Sequence, residues 1–222
     1  MKLKSLLFPE EVDLSSSDFR IVRIENPSMF YQVARYLYLD FAGSTEFFTL
    51  RNETGEVNID QSSNFLGSLF NVDLNTKKNI NCLYRVLKKT YFDKLSDDLD
   101  KLREQAADIV KNISFDFDVE LSVQNEIAID DLFKIMNLQF SDNCSSLLER
   151  VTKFVLLSYE LQHTTLFFAL NLFEYLEPDE IRTLFHDVSY KSISIIDIES
   201  GNNLPSIDFG HTNIVDRDLC NL

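Results

Sequence analysis

Apolar and polar positions along the chain fall into two periods. Residues 19–24 (Phe-Arg-Ile-Val-Arg-Ile) are rich in β-branched side chains and predict a strand. Asn26 and Pro27 supply a cap and a first-turn proline. Phe30, Val33, Ala34 and Leu37 then recur at spacings of three and four, which predicts a helix. Between Gly43 and Gly67 the chain is mostly polar, with a strand predicted at 46–50. Asn75 is placed to cap a further helix with apolar positions at Ile80, Leu83, Leu87 and Tyr91. Ser96 and Asp97 interrupt the pattern. It resumes at Leu99, Leu102, Ala106, Ile109, Val110 and Ile113, as a second helix or a bent continuation of the first.

Residues 115–123 alternate without fault. Phe115, Phe117, Val119, Leu121 and Val123 are apolar, and Asp116, Asp118, Glu120 and Ser122 are polar. This is the strongest strand pattern in the chain. A short helix at about 130–137 and a partner strand at 138–140 are predicted next. Asp142 is placed to cap a helix carrying Leu147, Val151, Val155 and Ser158. Residues 164–173 and 192–198 are apolar enough for strands buried on both faces, with a helix from Pro178 through Phe185 between them. Both ends thus read α/β and the middle mainly helical. The economical architecture is a discontinuous α/β head, residues 1–75 and 153–222, interrupted by a helical insertion over 76–152.

Composition narrows the class. With 222 residues, 45% of them hydrophobic and 19 of them Phe, the chain can bury a full core and is not disordered. No run of about 18 apolar residues is present to span a membrane, and the first residues do not form a secretory signal. Cys82, Cys144 and Cys220 fit neither a disulfide framework nor a zinc site, so a reducing cytoplasm is expected.

Charge changes the picture at one place. The net charge is −15, yet Lys77, Lys78, Arg85, Lys88, Lys89 and Lys94 crowd into a segment with one acidic residue, Asp93. At 100° per residue, Lys78, Arg85 and Lys89 fall within about 20° of one line. Lys77 and Lys88 lie to one side and widen the track, whereas Lys94 falls on the apolar side and suggests that the helix has ended or turned there. An acidic protein with one basic stripe is suited to holding a polyanion at the stripe and repelling it elsewhere.

Catalytic patterns are weak by comparison. Gly43-Ser44-Thr45 lacks the lysine and the loop of a phosphate cradle. Asn171 stands where an ATPase places a magnesium-linked aspartate, and Asp197 reads as a residue at a strand boundary. His163, His186 and His211 make no metal-ligand spacing. Asp116, Asp118 and Glu120, with Glu126 and Asp130 nearby, offer hard oxygen donors of the kind calcium takes, at a spacing unlike an EF-hand loop. The same carboxylates are the basis of the enzyme alternative, a divalent-metal nuclease; the other alternative is an acidic protein-binding scaffold.

Four stretches carry a resemblance: residues 19–38, residues 65–75 leading into the basic helix, residues 129–140 (Ile-Asp-Asp-Leu-Phe-Lys-Ile-Met-Asn-Leu-Gln-Phe), and the strand–helix–strand series after Thr164. In order and length they resemble the short form of the type II-A CRISPR-associated adaptation accessory protein. The resemblance implies a degenerate, ATPase-like α/β head without a working nucleotide site, and an inserted helical leg. It further implies a non-catalytic homotetrameric ring supported by calcium, which admits double-stranded DNA through a free end. Its expected partners are the adaptation integrase complex and the type II effector nuclease. Lys77, Lys78, Arg85, Lys88 and Lys89 are then the expected DNA contacts, and Asp116, Asp118, Glu120 and Glu126 the expected calcium ligands.

Overall fold

The computed structural model describes every residue except 6, 9, 15–16, 40–47, 53–54, 58, 68, 120, 122–126, 202–207 and 219–222. In chain order its elements begin with β1 (Lys2–Ser5), β2 (Val12–Asp13), β3 (Phe19–Ile24), α1 (Pro27–Leu39), β4 (Phe48–Asn52), β5 (Gly55–Val57), α2 (Ile59–Ser62) and β6 (Ser63–Leu66). There follow α3 (Lys77–Ser114), α4 (Ile129–Ile135), α5 (Leu147–Gln162), β7 (Leu166–Leu170), α6 (Pro178–Ser189), β8 (Ser194–Ser200) and β9 (His211–Val215). Two units result: Met1–Leu74 with Asp142–Leu222, and Asn75–Ser141.

The first unit is built on a parallel sheet in the order β6-β7-β8-β3-β9. β7 (Leu-Phe-Phe-Ala-Leu) is buried at every position, as an apolar run sandwiched on both faces must be. On one face, Val22, Phe168 and Ile196 pack with Val33 and Leu37 of α1 and with Leu3, Phe48 and Leu50 of an antiparallel sheet ordered β2-β1-β4-β5. The Phe48 and Phe168 rings meet at 4.7 Å between centroids. On the other face, Phe19, Ile21, Phe167 and Ile195 pack against Val151 and Val155 of α5 and Ile181, Leu184 and Val188 of α6. The architecture is α/β, as the sequence patterns require.

Helix starts follow local chemistry. Asn26 Oδ1 accepts from the amides of Ser28 and Met29 and caps α1. α5 is capped by Ser146, whose hydroxyl accepts from Glu149 N at 3.1 Å, not by the expected Asp142. Asp142 instead pairs with Arg150 at 2.9 Å. Because Val151 and Val155 of α5 are buried in the first unit's core, the insertion ends at Ser141 and not at residue 152.

The second unit departs most from the sequence pattern. α3 runs unbroken for 38 residues, a length of about 57 Å. Ser96 does not interrupt it, because its hydroxyl donates back to the Asp93 carbonyl and leaves the helical ladder intact. Lys94 remains helical and lies over the Tyr91 ring, 5.6 Å from its centroid. The cap is Thr76, whose hydroxyl accepts from Asn79 N at 3.2 Å. Asn75 grips the Phe140 backbone through both ends of its carboxamide, at 2.8 and 3.0 Å, so residues 138–140 run as irregular chain without the expected strand.

The predicted strand at 115–123 is absent among its described residues. Phe115 caps α3, and Asp116 N and Phe117 N donate to Ile113 O and Ser114 O, which winds the chain on in turns. Alternation needs a neighbouring strand to become a sheet, and no described strand pairs with these residues; Phe115 and Val119 are 75% and 74% exposed. Glu120 and residues 122–126 lie outside the described residues.

Candidate nucleic-acid interface

α3 places the basic residues by its own geometry. Lys77, Lys78, Arg85, Lys88 and Lys89 are all exposed. From Lys78 to Lys89 the axial rise is about 17 Å, the run of about ten duplex phosphate charges. What fixes the orientation is α4. Ile129 and Phe133 pack on Leu99, Tyr84 and Leu87 of α3, and the Tyr84 hydroxyl donates to Phe133 O and Leu138 O. Arg103 Nε donates to Ile127 O at 2.9 Å and ties down the start of the returning segment. The line through Lys78, Arg85 and Lys89 is left on a different face of the helix.

The five cations are not equivalent. Lys88 pairs with Asp130 of α4 at 3.1 Å, both side chains being more than a third exposed. Its charge is partly answered within the unit. Arg85 reaches Cys82 Sγ at 3.1 Å, a contact that orients the guanidinium without neutralising it. Among the described residues no carboxylate lies within ion-pairing distance of Lys77, Lys78, Arg85 or Lys89. Four uncompensated cations on the first three and a half turns of one helix form an electropositive strip in a chain of charge −15.

The burial pattern beneath the strip corrects the sequence reading. Asn79 and Cys82 are buried, whereas Tyr91, expected on the packed side, is 42% exposed. Val86, Phe92, Leu95, Ile109 and Ile113 along α3, with Phe115, Phe117, Ile135 and Met136, are also exposed. The second unit therefore exposes many large apolar side chains as well as the basic strip.

Of the expected metal ligands, only Asp116 and Asp118 fall among the described residues. Asp116 and Asp118 sit on exposed turns and no longer alternate along a strand, and Glu120 and Glu126 lie outside the described residues. Among the described residues no three His, Cys, Asp or Glu side chains converge to hold a metal ion. The described residues alone therefore form no such cluster, for calcium or for the metal of the nuclease alternative. The histidines are dispersed. His163 ends α5 with φ 57°, His186 meets Tyr190 on α6, and His211 opens β9. Gly43-Ser44-Thr45 lies outside the described residues.

Sequence reasoning missed one feature. Asp197, read as a boundary residue, is fully buried within β8, and Glu199, two positions on, is 1% exposed. Two acids inside an otherwise apolar strand were the available signal.

Comparison with known proteins places these observations. Residues 40–219 match the profile of a family described as CRISPR-associated protein (Cas_Csn2). Among solved structures the chain is similar to one titled "Crystal structure of Stu0660 of Streptococcus thermophilus", at 16% identity and a TM-score of 0.56, covering 97% of this chain and 74% of the other. No curated protein matches.

Proposed function

On the premise that this chain belongs to the Cas_Csn2 family of type II-A CRISPR-associated proteins, we propose that it is a non-catalytic, sequence-independent binder of double-stranded DNA ends. It assembles as a ring of identical subunits and takes part in acquiring new spacers, beside the adaptation integrase complex and the type II effector nuclease. The observation that carries this reading is the strip of Lys77, Lys78, Arg85 and Lys89, exposed and without ion-pair partners among the described residues. Contacts from such side chains go to phosphate oxygens and carry no base readout. The apolar surface of the same unit supports self-association, since Leu95, Ile109, Ile113 and Phe115 gain by leaving water.

A closed ring sets a topological condition, because DNA enters only through an end. A gel-shift comparison of a linear duplex with the same sequence as a covalently closed circle tests it. The linear form is expected to bind and the circle to remain free. Equal binding of both overturns encirclement, and cleavage of either in magnesium overturns the non-catalytic assignment.

A further inference from the structure

The turn that ends β7 is stitched to β8 at four consecutive places. Asn171 N donates to Ile198 O at 3.0 Å, and Ser200 N returns a bond to Asn171 Oδ1 at 2.9 Å. Leu172 N donates to Asp197 Oδ1 at 3.3 Å, and Phe173 N to Glu199 Oε1 at 2.9 Å. Asn171 adopts φ 53°, which aims these two amides at the strand. Asp197 and Glu199 occupy alternate positions of β8 and so share a face. Both are sealed from solvent, and Asp197 Oδ2 has no conventional donor.

Two carboxylates cannot both ionise side by side in an interior without a cation to answer them. The helices packed on this face supply none. α5 and α6 present Val151, Val155, Ile181, Leu184 and Val188 to this face. Among the described residues the one cation beside them is Arg23, opposite Glu199 in the register with β3; its Nη2 is engaged by Glu25 at 3.0 Å, and its buried Nε bonds neither carboxylate. Glu174, on the turn itself, adds a further negative charge facing Glu199.

We propose that Asp197 and Glu199 hold one proton between them and act as a clasp that pins the 171–173 turn to the sheet at neutral pH and opens as the pH rises. The shared proton gives Asp197 Oδ2 its donor and leaves one negative charge for the two backbone amides to solvate. Burial raises the titration of both carboxyls, and the charge of Glu199 raises that of Asp197 further. The fold therefore keeps a proton that the unfolded chain gives up near pH 4. The clasp is at full strength below that pH and weakens as the pH climbs through the raised titration of the pair. Its loss sets two anions against each other under Leu172, a core residue, and loosens the start of α6.

Infrared difference spectra of the whole protein test the proton directly. A protonated-carboxyl C=O stretch is expected in the wild type at pH 7 and absent in Asp197→Asn; a wild type without that band overturns the proposal. Urea unfolding at pH 6 to 9 tests the clasp. Within the titration range the wild-type folding constant is expected to fall about tenfold per pH unit, the slope of one linked proton. The Asp197→Asn variant, or Glu199→Gln where the first does not fold, is expected to lose that slope. Parallel pH profiles for wild type and variant overturn the clasp, and the wild-type spectrum decides even where neither variant folds.

Discussion

The two halves of α3 are one continuous helix with opposite electrostatics. Residues 77–90 carry five cations and no carboxylate, and only Lys88 has found an ion-pair partner among the described residues. Beyond Asp93 the charges alternate and answer one another: Lys101 pairs with Asp98 at 2.9 Å and Arg103 with Asp100 at 2.8 Å, each one turn apart. Composition by itself does not separate the halves, because both are rich in Lys and Arg. Compensation does. A cation held by its own neighbour offers little field to a polyanion, while an unanswered one keeps its full attraction.

The largest effect expected from breaking this contrast is on binding. Reversing K78E/R85E/K89E should cost at least about 10² in duplex affinity, since six units of charge change on each subunit's strip. Circular dichroism should report an unchanged fold, because all three side chains are exposed. An affinity within twofold of wild type removes the strip from the mechanism.

Next in size is a control in the head. Phe168, fully buried beneath Phe48, should cost about 3–5 kcal/mol of stability on Phe168→Ala, read by urea denaturation. Binding measured where the variant stays folded should not change. Smaller again is Lys101→Gln in the distal half of α3. Duplex affinity should move by less than about threefold, because this charge is already answered by Asp98. The smallest effect belongs to Lys88→Ala. The Lys88–Asp130 pair is half exposed, so its loss should lower stability by no more than about 0.5 kcal/mol. A loss above about 2 kcal/mol would show that the pair, and not the apolar contacts of Phe133, holds α4 to α3.

Where a segment's partners are local or simply apolar, the sequence pattern carried the fold. β3 lies at residues 19–24 as expected, α1 starts at its proline, and β7 and β8 are buried on both faces. The failures share one cause, which is that periodicity does not name a partner. Alternation over 115–123 has no strand to pair with among the described residues, and its described part continues the turns of α3. Asp142 and Asn75 looked like caps because both residue types cap well. Each found a stronger distant partner, Arg150 and the Phe140 backbone, and Ser146 and Thr76 took the capping positions. Of the antiparallel sheet only β4 was anticipated, as the strand expected at 46–50; the others went unread because they are only two to four residues long. The basic strip was legible because helical geometry needs only spacing. The Lys88–Asp130 pair was not, because it joins residues 42 apart; nor was the burial of Asp197 and Glu199 under the 171–173 turn, although their spacing in an apolar strand was visible.

Acid titration probes a different feature of the head. Lys153 and Ser145 hold the Glu149 carboxyl down at about 2, so its contribution at the start of α5 is present above the usual carboxylate range and lost as the pH falls through that value. Glu149→Gln should remove this acid-side dependence and leave the high-pH slope assigned to Asp197 and Glu199 intact.

The salt dependence of duplex binding bears most directly on the strip. Affinity for a short blunt-ended duplex, measured from about 50 to 200 mM salt, gives a log–log slope of about 0.9 per phosphate neutralised. The wild type should fall steeply, and K78E/R85E/K89E should have a slope shallower by about 2.7 for each engaged subunit. Equal slopes for the two proteins would contradict phosphate binding by this face of α3.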